Sequence, residues 1–277
     1  MSTAASVAVA ARAPARPAAR GLRPGAVTDA AVQAGVLLAL AALWEGITRS
    51  GLVNPFLLPR LSDVLARIGA DALAGQVFVD LGLTLYRALY GFAIATAIGI
   101  PLGVLMARSR AVRWFFDPLI SIGFPMPKIS FLPIFILWFD IYDTSKVIMV
   151  TFSCLFPIVA ATYAGTQGVD RWPIWSARSF GAGEGRILWE VILPMALPQI
   201  LTGLQIALPT GLITTVVTEM LMGGPGIGGS MIAAGRFADS VGVFAGIVAV
   251  AALGFVVIRA LVLVRGRLLA WHAEARA

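Results

Sequence analysis

A chain of 277 residues in which 59% are hydrophobic and only 13% charged is no ordinary soluble domain, where charged residues make up about a quarter. Bilayer-length apolar runs recur along nearly the whole length, which predicts an all-α membrane protein of about six spans and excludes the short alternating segments of a β-barrel. The net charge of +7 does not indicate a nucleic-acid partner, because the basic residues cluster at the ends of the apolar runs, where membrane topology requires them.

Residues 1–28 are rich in Ala and Pro and carry Arg12, Arg16, Arg20 and Arg23 with no acidic residue. That composition predicts a disordered basic cytoplasmic tail rather than a targeting peptide. A first unit, 29–80, holds a span from about Ala30 to Ile47 and then NPFLLP, Asn54 to Pro59. After it Leu61, Val64, Leu65 and Ile68 fall at helical spacing, as in a short interfacial helix on the extracytoplasmic side. A core over 81–265 follows. Its second span, Leu83 to Ala107, contains Gly99-x-x-x-Gly103, suited to close packing within the chain. The third, Phe115 to Phe139, is broken by Pro118, Pro125, Pro127 and Pro133, and the fourth covers Lys146 to Tyr163. A polar segment, 170–194, separates it from the fifth, Leu197 to Met222. A glycine-rich turn, Gly223 to Gly229, leads to the sixth, Val241 to Val264, and a cytoplasmic C-terminal tail occupies 266–277.

Six spans put 13 Lys and Arg residues on one side and 5 on the other, with 3 inside spans. The excess marks the cytoplasmic side, so both termini and the 170–194 segment are expected there.

Nothing in the chain suggests an enzyme. The only lysines, Lys128 and Lys146, fall outside any Gly-x4-Gly-Lys-Ser/Thr pattern, so no phosphate cradle is expected. Gly224-Pro-Gly226-Ile-Gly228-Gly229 has dinucleotide-site spacing, but it joins two apolar spans and reads as a loop. No hydrolase signature is present. With one cysteine, Cys154, and one histidine, His272, neither an intrachain disulfide nor a Cys/His metal site is expected. Ionisable groups inside spans are costly and therefore candidates for a solute pathway. Lys128 and Glu219 are such groups, with Thr214, Thr215 and Thr218 as polar neighbours on the fifth span. The alternatives are snorkelling or interhelical pairing for the charges, Arg87 included, and relief of the backbone near Pro209 for the threonines.

The 170–194 segment is the most informative. VDRWPIWSARSFGAG, from Val169, begins with a turn signal and a proline suited to starting a helix. Ser176 and Ala177 are small, and Gly181 allows a sharp change of direction. Glu184 to Ile192 is expected to form a second short helix, stopped by Pro194 and Pro198. Two short helices about a glycine bend make a projecting knob; an ordinary amphipathic connector is the alternative. The spacing resembles the EAA loop of ABC-importer permeases, Glu-Ala-Ala, three residues, Gly, nine residues, Ile-x-Leu-Pro. Trp175 and Ser176 stand where that pattern has Glu and its first Ala. The resemblance implies an ATPase-coupling role for Trp175, Ser176, Ala177, Arg178, Gly181, Ala182, Val191, Leu193 and Pro194, with an apolar contact at Trp175 replacing a salt bridge.

Further stretches, Leu57 to Leu65, Leu83 to Ser109, Phe124 to Val147 and the closing RGRLLAWH, resemble permeases of the nitrate, taurine and alkanesulfonate group. Asp140 departs from them, standing where a glycine is usual. What the resemblance implies is a type I ABC importer permease fold in a bacterial inner membrane, with no cofactor on this chain. It implies as partners a P-loop ATPase dimer carrying ATP and Mg, a second permease copy and an extracytoplasmic solute-binding protein that sets the solute. An ion-gradient-driven secondary carrier is the alternative, and it would want internal repeats and midspan carboxylates.

Overall fold

A computed structural model describes residues 25–271 of the chain. Most of the tail expected over 1–28, and residues 272–277, lie outside the described residues.

The described residues form helices and turns without a strand: α1 (Gly25–Arg49), α2 (Leu61–Ala74), α3 (Gln76–Arg108), α4 (Arg110–Gly123), α5 (Leu132–Phe139), α6 (Asp143–Gln167), α7 (Arg171–Ser179), α8 (Glu184–Ile187), α9 (Leu193–Met222), α10 (Ile227–Arg236) and α11 (Ser240–Leu268). Five segments are long and apolar enough to cross a membrane, namely Ala31–Arg49, Gln76–Arg108, Asp143–Gln167, Glu184–Met222 and Ser240–Leu268. The third span expected from the sequence is not a straight rod. Arg110–Gly123 and Lys128–Phe139 meet at 103°, so this pair is a sixth crossing only as a bent unit. The bend falls at Phe124-Pro125-Met126-Pro127, where two prolines remove backbone donors; Phe124 itself is still helical, and the chain leaves the helix after it. Lys128 folds back onto this break. Its Nζ donates to the Phe124 carbonyl at 2.8 Å and lies 5.3 Å from the Phe156 ring centre, so part of its charge is spent on carbonyls the prolines set free.

Three helices make the core. α3 and α6 run parallel in one register, fixed by Gly91 against Val150, Gly99 against Ile158 and Gly103 against Thr162. A Cβ at those glycines would come to 2.7, 2.8 and 2.7 Å from the facing side chain, so only hydrogen fits. α9 runs antiparallel to α6, with Gly203 against Ala161 and Gly211 against the Cys154 sulfur. Such close approach matters because lipid is as apolar as leucine, and helices in a bilayer adhere mainly by van der Waals contact. Ala95, Val150, Cys154, Ile158 and Ala207 are fully buried where the three meet. α1 and α11 leave large apolar side chains such as Leu37, Leu38, Phe255 and Leu263 exposed, as lipid-facing helices do.

Two of the ionisable residues flagged in the sequence, Arg87 and Glu219, meet at one end of this core. The Arg87 guanidinium on α3 is 2.6 Å from Glu219 on α9, with side chains 1% and 0% exposed. Arg87 also donates to Asp143 at the start of α6 and to the Pro225 carbonyl at 2.7 Å. Glu219 accepts from Thr84 Oγ1 at 2.8 Å and from the Gly228 amide at 3.1 Å. Asp80 accepts from the Gly226 amide and from Ser230, and Lys146 donates to the Gly223 carbonyl at the end of α9. The glycine-rich turn is therefore wrapped around a buried ion pair. Gly226, at φ 121°, is needed here, since a Cβ would sit 2.6 Å from the Glu219 carboxyl carbon. The turn continues into α10, a short helix where the residue pattern suggested only a connection to the last span.

This arrangement has two measurable consequences. Arg87→Met leaves Glu219 as an uncompensated buried charge and should cost about 3–5 kcal/mol, read as a lower thermal midpoint in detergent. Arg87→Met combined with Glu219→Met should recover most of that loss. Separately, Asp140 closes α5 at φ 67° and ψ −173°, a region that glycine occupies freely and other residues only under strain. Asp140→Gly should therefore raise the midpoint, corresponding to roughly 1 kcal/mol.

Candidate functional site

The segment between α6 and α9 builds a compact projection. α7 begins after Asp170 and admits Pro173 because it lies in the first turn, where the missing amide has no helical partner. The helix ends in a Schellman motif: Gly181 N–H donates to the Arg178 carbonyl at 2.9 Å and Ala182 N–H to the Ala177 carbonyl at 3.0 Å. Gly181 supplies the left-handed residue that this motif requires, at φ 81°. No atom lies within 4 Å of its would-be Cβ, so the need for glycine here is conformational rather than steric. The four-residue interval from Ala177 to Gly181 that the sequence offered is thus the spacing of a helix end.

Beyond the bend the chain departs from expectation. Glu184 to Ile192 does not form a helix stopped by Pro194 and Pro198. α8 passes through a π turn, Leu188–Ile192, directly into α9, so 184–222 is one continuous apolar unit. Pro194 follows just after the π turn, and Pro198 lies inside α9 without ending it. π turns accommodate an extra residue within a helix and recur at functional sites.

Trp172, Trp175, Phe180 and Trp189 project from this segment and are 76, 49, 88 and 72% exposed. The Trp172 and Trp175 rings meet edge to face at 5.3 Å. Ser176 and Arg178 are exposed and Ala177 and Ala182 half-buried. Of the residues near the second part of the motif, Val191 and Leu193 are half-buried and Pro194 exposed, while Ile187 and Ile192 point into the protein. The expected residues of the knob are therefore brought together on one element pair, with an aromatic face turned outward.

Glu184 was not singled out in the sequence, yet it organises the base of the knob. Its Oε1 accepts from Arg178 Nε at 3.0 Å and Nη2 at 2.6 Å, and its Oε2 accepts from Arg108 Nη2, on the last residue of α3, at 2.6 Å. A single carboxylate among glycines carries no periodic signal, which is why spacing alone did not find it.

The candidate pathway residues are not gathered into one site. Lys128 is half-buried at the α4–α5 bend, whereas Glu219 is sealed against Arg87, Thr84 and Gly228. Thr214, Thr215 and Thr218 donate to carbonyls of their own helix, those of Thr210, Gly211 and Thr215, each at 2.8 Å. These carbonyls all lie C-terminal to Pro209, so the threonines do not pair with the Gln205 carbonyl that the missing Pro209 amide leaves free.

The comparisons with known proteins agree with this geometry. Residues 99–269 match the family described as binding-protein-dependent transport system inner membrane component. The chain is 34% identical over 248 residues to the taurine transport system permease protein TauC of Escherichia coli K12, covering 87% of this chain and 90% of that protein. It is 30% identical over 233 residues to the putative aliphatic sulfonates transport permease protein SsuC of Bacillus subtilis 168, with 84% of each chain covered. An inward-facing structure of the MetNI methionine ABC transporter matches with a TM-score of 0.52 at 20% identity, covering 68% of this chain and 95% of that one, and it supports the type I importer permease fold. The chain belongs to the binding-protein-dependent transport system inner membrane component family, and it is an ABC-importer permease with several membrane-crossing helices.

Proposed function

We propose that this chain carries a small sulfonate-like or related organic solute across a bacterial cytoplasmic membrane as one of two permease copies. The solute is delivered by an extracytoplasmic binding protein, and ATP with Mg is hydrolysed on a P-loop ATPase dimer. The observation that carries the reading is the projection at 171–192, a Schellman-ended helix with exposed tryptophans set between two membrane-crossing helices. Exposed aromatic anchors of this kind are the usual centre of a protein interface. The 13 to 5 distribution of basic residues supports a cytoplasmic position for the knob and for both termini. The arrangement of spans then leaves the Arg87–Glu219 cluster and α10 on the outer side.

ATP binding draws the two ATPases together and displaces both knobs, which tilts the attached helices and exposes the central cavity outward. This is a two-state element biased by contacts at its cytoplasmic end. Trp175, Ser176, Ala177, Arg178, Gly181 and Ala182 form the docking face and its bend, with Val191, Leu193 and Pro194 seating it on α9. Lys128 is the most accessible of the pathway candidates. Thr214, Thr215, Thr218 and Glu219 take part only after α9 moves relative to α3. The names of the relatives, taurine and aliphatic sulfonate permeases, support the choice of solute class.

Gly181→Asp strains the left-handed position and should abolish ATP-coupled uptake of taurine or an alkanesulfonate while the protein remains inserted in the membrane. Normal uptake by that variant removes the coupling role. Trp175→Cys should react with an impermeant maleimide in inverted vesicles and resist it in intact spheroplasts, and detergent pull-down of the parental chain should bring a P-loop ATPase. Labelling from the outer face, or transport by the chain alone, would reverse the reading in favour of another kind of carrier.

A further inference from the structure

The knob touches the rest of the protein through few fixed points. α7 packs mainly against α8 and the π turn. The link between them, Gly181 to Gly185, holds three glycines whose would-be Cβ atoms meet nothing within 4 Å. α7 half-buries Pro173, Ile174 and Ala177 and is tied to the link by two backbone hydrogen bonds, and polar side-chain contacts add a third restraint on its orientation. The Glu184 carboxylate is placed for this: one oxygen holds Arg178 of α7 through two hydrogen bonds and the other holds Arg108, where α3 ends. Arg108 lies five residues beyond Gly103, the last of the glycines that lock α3 to α6.

We propose that Glu184 is a positioning residue that transmits displacement of the knob to α3, making Arg178, Glu184 and Arg108 one clamp. The proposal rests on the coupling role assigned above. An exposed ion pair contributes little to stability, and these side chains are 50, 56 and 32% exposed. Its worth is directional, since one carboxylate that grips two guanidiniums from different helices fixes their relative placement. Motion of α7 is then passed to α3, and through the glycine contacts to α6, rather than absorbed by the Gly181–Gly185 link. The exposed Trp172 and Trp175 remain free for the partner.

The test uses the full chain in nanodiscs with the ATPase that co-purifies with it. Spin labels are placed at Leu105→Cys on α3 and Arg171→Cys on α7, both exposed positions, while Cys154 is buried and stays unlabelled. The parental chain should give one narrow label separation, the same with and without ATP. Glu184→Gln and Arg108→Gln should each give a separation that shifts and broadens when ATP is added, and the double variant should be no worse than either alone. Glu184→Asp should restore the narrow, nucleotide-independent separation. If Glu184→Gln keeps the parental separation in both states, the clamp transmits nothing. If it broadens equally with and without ATP, Glu184 only supports the local structure. Absence of any ATPase from the parental preparation instead overturns the importer reading on which the clamp depends.

Discussion

Arg87 is a guanidinium with almost no access to solvent, held where three separate stretches of chain converge. It grips Glu219 of α9, Asp143 of α6 and the carbonyl of Pro225 in the turn after α9. A charge placed there cannot be left half-satisfied, because desolvation costs several kcal/mol per ion unless good geometry offsets it. The remaining polar contacts follow from that constraint. Thr84 and the Gly228 amide fill the free positions on Glu219, and Gly226 has no side chain because a Cβ would enter the pair. The ends of α3, α6 and α9 are thereby fixed in place at one end of the core, which van der Waals contact between smooth helices would specify less sharply. Asp143 is the partly solvated arm, at 53% exposure, so its contact with Arg87 is less desolvated than that of Glu219.

α3 connects this cluster to the opposite end of the molecule. It carries Arg87 near its start and Arg108 as its last residue, and between them Gly91, Gly99 and Gly103 seat it on α6 without side chains intervening. A helix packed so closely cannot shear past its neighbour by small steps, because interdigitated surfaces have discrete arrangements. Force applied at Arg108 therefore moves α3 and α6 as a pair and is felt where Arg87 meets Asp143 and Glu219. The proposed transport cycle needs such a rigid connection between a cytoplasmic knob and an outer closure. Its more compliant parts lie elsewhere, at the Phe124–Pro127 bend and in the glycine link beside α7.

Much of this was readable from the residues. Long apolar runs announced the membrane helices, since bilayer thickness leaves few alternatives, and Gly99 with Gly103 announced a close helix contact. The bend at Gly181 was legible because a helix terminus imposes its own spacing. What escaped the sequence depended on partners far along the chain. Interhelical pairing was one reading open for Arg87 and Glu219, but that they pair with each other joins residues 132 positions apart, and nothing local distinguishes this from two snorkelling charges. Pro194 and Pro198 suggested a stop, yet a π turn just before Pro194 lets the chain continue, and Pro198 lies inside the helix. The 103° break was visible as prolines but not as an angle, because Pro sets local dihedrals while packing sets the direction in which the next helix runs.

The departure from the usual EAA pattern gains a physical reading from Glu184. Trp175 faces outward where the pattern has a carboxylate, and its edge-to-face contact with Trp172 makes that surface apolar and stiff. The acidic group nearest the bend, the exposed Glu184, instead holds Arg178 and Arg108. The exposed tryptophans thus supply the apolar part of the docking face, while the charge of Arg178 on that face is held by Glu184. These two kinds of contact respond differently to the surroundings. Burial of tryptophan against a partner is indifferent to salt, whereas an exposed carboxylate between guanidiniums is screened within about 8 Å at physiological ionic strength. On the proposed coupling role, attachment of the partner through the tryptophans and orientation of α7 through Glu184 rest on different physics, although Arg178 belongs to both.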